Sequence, residues 1–313
     1  MISKKILCGF VLGVCWSLSA WAADRIKVVT TLPDFAWMVQ EIGGDAVEAK
    51  ALLRGTENPH YVDAVPDFIR QVADAKVVCL AGLDLEAGYM PAVLAKSGNA
   101  GVQPGGAGYC EIGKGVTTLD KSTGPINRSM GDVHPGGNPH FFLSPKSLAS
   151  GSVEVVKALS RVDAARAAHY EKAGAAFKAK MDSLSQEIQA RLEPFRAAQK
   201  GKPILMEYHK EFAYFLQDYG LLSFGSIEEK PGMPPSAGRL ASIGAAAKAA
   251  GVKVVLAAPY NPAKTLQRFT EISGIPVVVV PTMIQSKGPA AGYGELQKHI
   301  ADALVQALQP KGK

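Results

Sequence analysis

The chain has 313 residues, 47% hydrophobic and 20% charged, a globular composition long enough for two lobes. Its formal charge of +6 is a mild excess with no Lys/Arg run, which excludes a nucleic-acid-binding patch.

Residues 1–22 read as a cleavable secretory signal. Lys4 and Lys5 form a basic start, Ile6 to Leu18 an apolar stretch, and Ala20-Trp21-Ala22 a small-residue cleavage site. Cleavage after Ala22 removes those two lysines and no acid, lowering the charge from +6 to +4. A membrane anchor would need a longer apolar run. A lipid anchor would use Leu12-Gly13-Val14-Cys15, but Val14 stands where a small residue is needed. No later segment is apolar enough to span a bilayer, so a soluble exported protein is expected. Of four cysteines, Cys8 and Cys15 leave with the signal. Cys79 and Cys110 remain, and an oxidising compartment permits either a bridge or two separate buried thiols.

Apolar strands then alternate with helices. Arg25 to Thr30 predicts a buried strand, Pro33 to Ile42 a helix ended by Gly43-Gly44, and Val47 to Leu53 a second strand. Pro66 to Ala73 reads as helix and Ala75 to Leu80 as strand. Residues 97–139 are rich in Gly, Pro, Ser and Asn and read as irregular. Ser147 to Leu159 predicts a helix. Asp163, as an N-cap, opens a longer one to about Pro194, with Tyr170, Phe177, Met181, Leu184, Ile188 and Leu192 as its apolar stripe. At 1.5 Å per residue this helix would run about 45 Å, enough for a rigid spine along two lobes.

After Gly201 the alternation restarts. Strands are expected at Pro203 to Glu207, Val252 to Ala257 and Pro276 to Val280. Helices are expected at Glu211 to Tyr219, Arg239 to Ala250, Pro262 to Ile272 and Gly294 to Leu308. The expected fold is α/β: two lobes with parallel sheets covered by helices, joined by one long spine helix. The boundaries are 23–158 for the N-terminal lobe, 159–200 for the linking helix and 201–313 for the C-terminal lobe.

Half of the six histidines occupy similar loops: Asn58-Pro59-His60-Tyr61, Asn138-Pro139-His140-Phe141 and Glu207-Tyr208-His209-Lys210. Proline fixes φ and restricts the residue before it, so an Asn-Pro-His turn sets the backbone just ahead of the ring. Neutral imidazole is the commonest ligand for borderline metals. His60 and His209 follow strand ends, where open α/β sheets bind ligands. His60, His140 and His209 are therefore candidate metal ligands. His134 reads as a hydrogen-bonding neighbour or loop anchor, and His169 and His299 as solvated helix residues.

The signal, the two Asn-Pro-His loops, the segment Tyr208-His209-x-x-Phe212-x-Tyr214-Phe215 and the mid-chain helix together resemble the solute-binding proteins of zinc/manganese ABC importers. The resemblance covers essentially the whole mature chain. Segments 131–140 and 230–236 look like a subgroup of it. It implies metal-binding roles for His60, His140 and His209, delivery to a membrane permease, a periplasmic location and a monomer. Members usually carry Asp-Pro-His where this chain has Asn-Pro-His. They also usually supply a fourth, acidic ligand from the loop after the last strand. Here that loop, 280–287, has no acid. Water could take the fourth position, as could Glu228 or Glu229, Glu228 ranking first. Residues 110–133 contain no His, so the His-rich capture loop of many zinc binders is absent.

Three nitrogens favour Zn2+, with Mn2+ and Fe2+ as the other candidates. A three-His site could also belong to a secreted zinc hydrolase, with Glu207 on the same strand face as His209. The chain lacks H-E-x-x-H, G-x-S-x-G and a P-loop, so the non-enzymatic reading leads.

Overall fold

The computed structural model describes residues 25–309 except 123, 125–130, 132 and 231; the signal segment lies outside them. The N-terminal sheet contains β1 (Ile26–Thr30), β2 (Val47–Ala51), β3 (Val77–Leu80) and β4 (Tyr109–Glu111) in the order β2-β1-β3-β4, all parallel. Helices α1 (Pro33–Gly43), α2 (Pro66–Ala73) and α3 (Met90–Ser97) connect them. The C-terminal sheet repeats the plan, with β5 (Leu205–Glu207), β6 (Ser223–Ser226), β7 (Val254–Ala257) and β8 (Val277–Val279) in the order β6-β5-β7-β8. Its helices are α7 (Ala213–Asp218), α8 (Ala237–Ala250), α9 (Ala263–Ser273) and α10 (Tyr293–Gln306). β3 and β7, strung with Val and Leu, are buried throughout, as a parallel sheet covered on both faces requires.

Between the sheets run α4 (Pro145–Val162), α5 (Ala167–Arg191) and the short α6 (Glu193–Gln199). The spine is thus shorter than the sequence suggests. Asp163 both closes α4 and precedes a 3-10 turn, Ala164–Arg166, that runs straight into α5; its side chain makes no capping bond and accepts instead from Arg166 Nη1 (2.8 Å) and the Tyr170 hydroxyl (2.6 Å). At the other end the chain passes through Leu192 into α6, with Pro194 in the first turn of that helix, where its missing N–H costs nothing. Five residues of the predicted stripe, Tyr170, Phe177, Met181, Ile188 and Leu192, are nevertheless at most 2% exposed, and the sixth, Leu184, is half-buried against the same core.

One apolar core runs through both lobes. Trp37 of α1 stacks on Tyr293 of α10 (centroids 5.1 Å apart) and leans on Phe177 of α5 (5.4 Å). Tyr293 also donates to the Phe142 carbonyl (2.8 Å), and Gln297 to that of Leu143 (3.1 Å). A smaller core, including Met206, Val255 and Phe269, fills the remaining side of the C-terminal sheet. Cys79 and Cys110 are register partners on β3 and β4, both buried free thiols. Among the described residues no helix is long and apolar enough to cross a membrane.

Candidate metal centre

The two Asn-Pro-His loops fold alike. Asn58 Oδ1 accepts from the His60 amide and Asn138 Oδ1 from the His140 amide, each at 3.0 Å, closing a side-chain turn over the proline. The first loop follows β2. The second opens a short 3-10 turn, His140–Leu143, that leads into α4. Gly137, with φ of +114°, precedes Asn138. A Cβ there would lie 2.6 Å from the Leu119 carbonyl oxygen, so the chain can pass only as glycine.

Asn138 links the lobes. Its Oδ1 faces His140 Nδ1 (2.9 Å), its Nδ2 donates to the Lys210 carbonyl (2.8 Å), and its own carbonyl accepts from the Tyr214 hydroxyl (2.6 Å). His209 stands two residues beyond β5. Its Nδ1 meets Glu228 Oε2 at 2.8 Å, and the same oxygen accepts from the Gly232 amide (3.1 Å).

The structure brings His60, His140 and His209 together. Their ring centroids are 5.0, 5.3 and 5.7 Å apart, and one donor atom from each lies within 4.8 Å of the others. His60 Nε2 and His140 Nε2 face each other at 2.9 Å. With Nδ1–H of His140 given to Asn138 and Nδ1–H of His209 to Glu228, the Nε2 lone pairs of both rings are left for another partner. Two nitrogens held 2.0–2.1 Å from one tetrahedral zinc stand about 3.3 Å apart, close to the observed separation.

The rings differ electrostatically. Burial holds His140 well below the usual imidazole value, and the neighbouring His60, His209 and His134 add to this. Burial also presses His209 downward, but the Glu228 hydrogen bond and the charges of Glu211, Glu228 and Glu207 outweigh it and raise its pKa.

His134 lies against the cluster, its ring centroid 5.1 Å from that of His60. It lines a cavity of about 240 Å³ with His140, His209, Asp120, Glu228 and the exposed Glu229. Three carboxylates at this opening, against Lys210 alone, suit an approaching cation.

Glu207 does not share a strand face with His209. β5 ends at Glu207, and its buried carboxylate accepts from the Phe212 amide (2.9 Å) and Ser223 hydroxyl (3.2 Å). No general base therefore stands ready there. A buried acid that sequence reasoning passed over, Glu211, lines a cavity next to the cluster. It is buried beside the cluster, with its Oε2 accepting from the Tyr260 hydroxyl (2.8 Å). Its one sequence signal was an acid two residues after a candidate ligand.

Residues 28–307 match the family described as ZnuA, zinc-uptake complex component A, periplasmic. The chain belongs to this family. Among curated ZnuA relatives, the high-affinity zinc uptake system protein of Brucella abortus (strain 2308) is 24% identical over 96% of each chain. A zinc-bound ZnuA deletion mutant shares the fold with a TM-score of 0.73 and 24% identity, covering 92% of this chain and all of the other. The solute-binding protein FpvC of Pseudomonas aeruginosa, in complex with Mn2+, does so at 0.71 and 22%, again over 92% and 100%. Membership makes the protein a periplasmic metal-binding component of an ABC import system, not an enzyme; the hydrolase alternative finds no support.

Proposed function

We propose that His60, His140 and His209 chelate one Zn2+ through their Nε2 atoms, between the lobes, for delivery to the permease of an ABC importer. The observation that carries this reading is the convergence of three imidazoles from three loops, two with Nδ1 already engaged. Glu228 Oε2 holds His209 Nδ1, and this carboxylate falls outside the group of three imidazoles, so its role here is to orient that ring and raise its basicity, not to contact the ion. Asn138 does the same for His140. The protein would act as a monomer, freed from residues 1–22 on export.

Zinc is the preferred cargo because the donor set is nitrogen-rich, whereas manganese favours oxygen. Metal analysis after equilibration with equal Zn2+, Mn2+ and Fe2+ tests this. One zinc per chain is expected; manganese or iron in its place contradicts it.

A further inference from the structure

Cys79 and Cys110 take no part in the metal centre, yet the fold sets them side by side. They are register partners on β3 and β4, flanked by the pairs Val78–Tyr109 and Leu80–Glu111. Register partners on neighbouring strands lie about 4.8 Å apart and point to the same face. That spacing falls within the Cα separation of about 4.4–6.8 Å that a disulfide spans. The two side chains are close enough to share a hydrogen bond. Both residues are buried, and both thiols are free in the structure.

Within this sheet β4 gains most from an anchor. It has three residues, lies at the edge and pairs with β3 alone. A link between Cys79 and Cys110 closes residues 80–109 into one loop and removes much of that loop's freedom from the unfolded chain. The residues after β4 also pack on the turn after β3. The Gly113 amide donates to the Ala81 carbonyl (2.9 Å), and a Cβ on Gly82 would lie 2.5 Å from Glu111 Cγ. Holding β4 on β3 therefore holds that turn as well.

We propose that Cys79 and Cys110 are joined in the periplasm by a disulfide that staples β4 to the sheet. Two S–H bonds are lost and one S–S bond forms. The electrons pass to the disulfide of a periplasmic dithiol–disulfide exchange protein. One cysteine attacks that disulfide to give a mixed disulfide, the other displaces it, and the donor leaves as a dithiol carrying both protons. The thiolate is the attacking species, and burial pushes the Cys79 thiol well above its usual value, so exchange belongs to the stage before β4 closes on β3. Once joined, the sulfurs no longer offer thiolates that would compete with the imidazoles for zinc during folding.

The test counts thiols in the full chain expressed with its own N-terminus. The periplasmic fraction is quenched in acid, denatured and treated with N-ethylmaleimide, with and without prior reduction, and the mature chain is weighed. No label without reductant, and one on each cysteine after it, is the expected result. Label on both cysteines without reductant overturns the proposal. So does a disulfide-linked dimer on a non-reducing gel, which would place the bond between chains. A second reading does not depend on export: the reduced, metal-free mature chain is refolded from denaturant with oxidised glutathione. The same count is expected, and free thiols or glutathione left on either cysteine overturn the assignment. Thermal unfolding then tests the staple. The chain refolded in reductant should melt lower than the oxidised chain by about 5 °C or more. Failure of the reduced chain to refold is the same result in stronger form, and equal Tm values overturn the stapling role.

Discussion

Within a few ångströms His140 is held toward its neutral form and His209 toward its charged one. The first sits under a buried amide, the second against a carboxylate. Metal binding needs both neutral. As pH falls, His209 protonates first, from above the usual imidazole value of 6.5, so zinc affinity should decline between about pH 8 and pH 5. Glu228→Gln removes the charge that raises His209. A competitive chelator titration should then show weaker binding at pH 8, by about tenfold, but a decline displaced to lower pH. A decline at the wild-type pH would dissociate Glu228 from this role. The candidate ligands were legible because one tripeptide occurs twice and each copy closes the same side-chain turn. The seating of Glu228 against His209 was not. It depends on the Gly232 loop, which meets that carboxylate only through a tertiary hydrogen bond.

At the scale of elements, the sequence made β1, β2, β3, β5, β7 and β8 readable, and with β2 and β5 the strand ends that lead into the first and third His loops. β4 (Tyr-Cys-Glu) and β6 (Ser-Phe-Gly-Ser) are short edge strands with no apolar run, and only pairing defines them. Likewise Asp163 carries an N-cap residue type and does precede the helical stretch, yet its side chain is claimed by Arg166 and Tyr170, and the first turn, Ala164–Arg166, is 3-10 before α5 begins at Ala167. The loop after β3 is an unforeseen support. Gly82, Leu83 and Asp84 all adopt positive φ, a strained run for the two non-glycines. Glu86 holds it by accepting from the Ala81 (2.7 Å) and Gly82 (3.1 Å) amides and the Thr31 hydroxyl (2.6 Å). The His60 carbonyl lies 3.3 Å from where a Cβ on Gly88 would stand, so this loop packs beneath the first His loop. Glu86→Ala orphans three donors and should cost about 2–4 kcal/mol in denaturant unfolding. A loss under about 0.5 kcal/mol, the range of neutral surface changes, would show that the loop keeps its form without this residue.

Across the whole molecule the lobes are joined by more than α5. Asp34 at the start of α1 accepts from the Ile284 amide (3.2 Å), and Gln285 donates to the Gly55 carbonyl (3.2 Å). Gly55, at φ +87°, lies so near the Ile284 carbonyl that a Cβ would be 2.0 Å from its oxygen. With a shared apolar core as well, wide hinge opening would break buried contacts on both sides. Small-angle scattering should therefore give nearly superimposable profiles with and without zinc, and a large closure would contradict the packing. Zinc should still stabilise the fold, by about 4 kcal/mol at a thousandfold excess over Kd, seen as a rise in Tm.

The most direct measurement is the zinc dissociation constant of the mature chain beside those of His60→Ala, His140→Ala, His209→Ala and the triple variant. One tight site in the wild type, weakened by each single change and absent from the triple variant, is the predicted result. A triple variant that still binds one zinc with wild-type affinity would contradict the account.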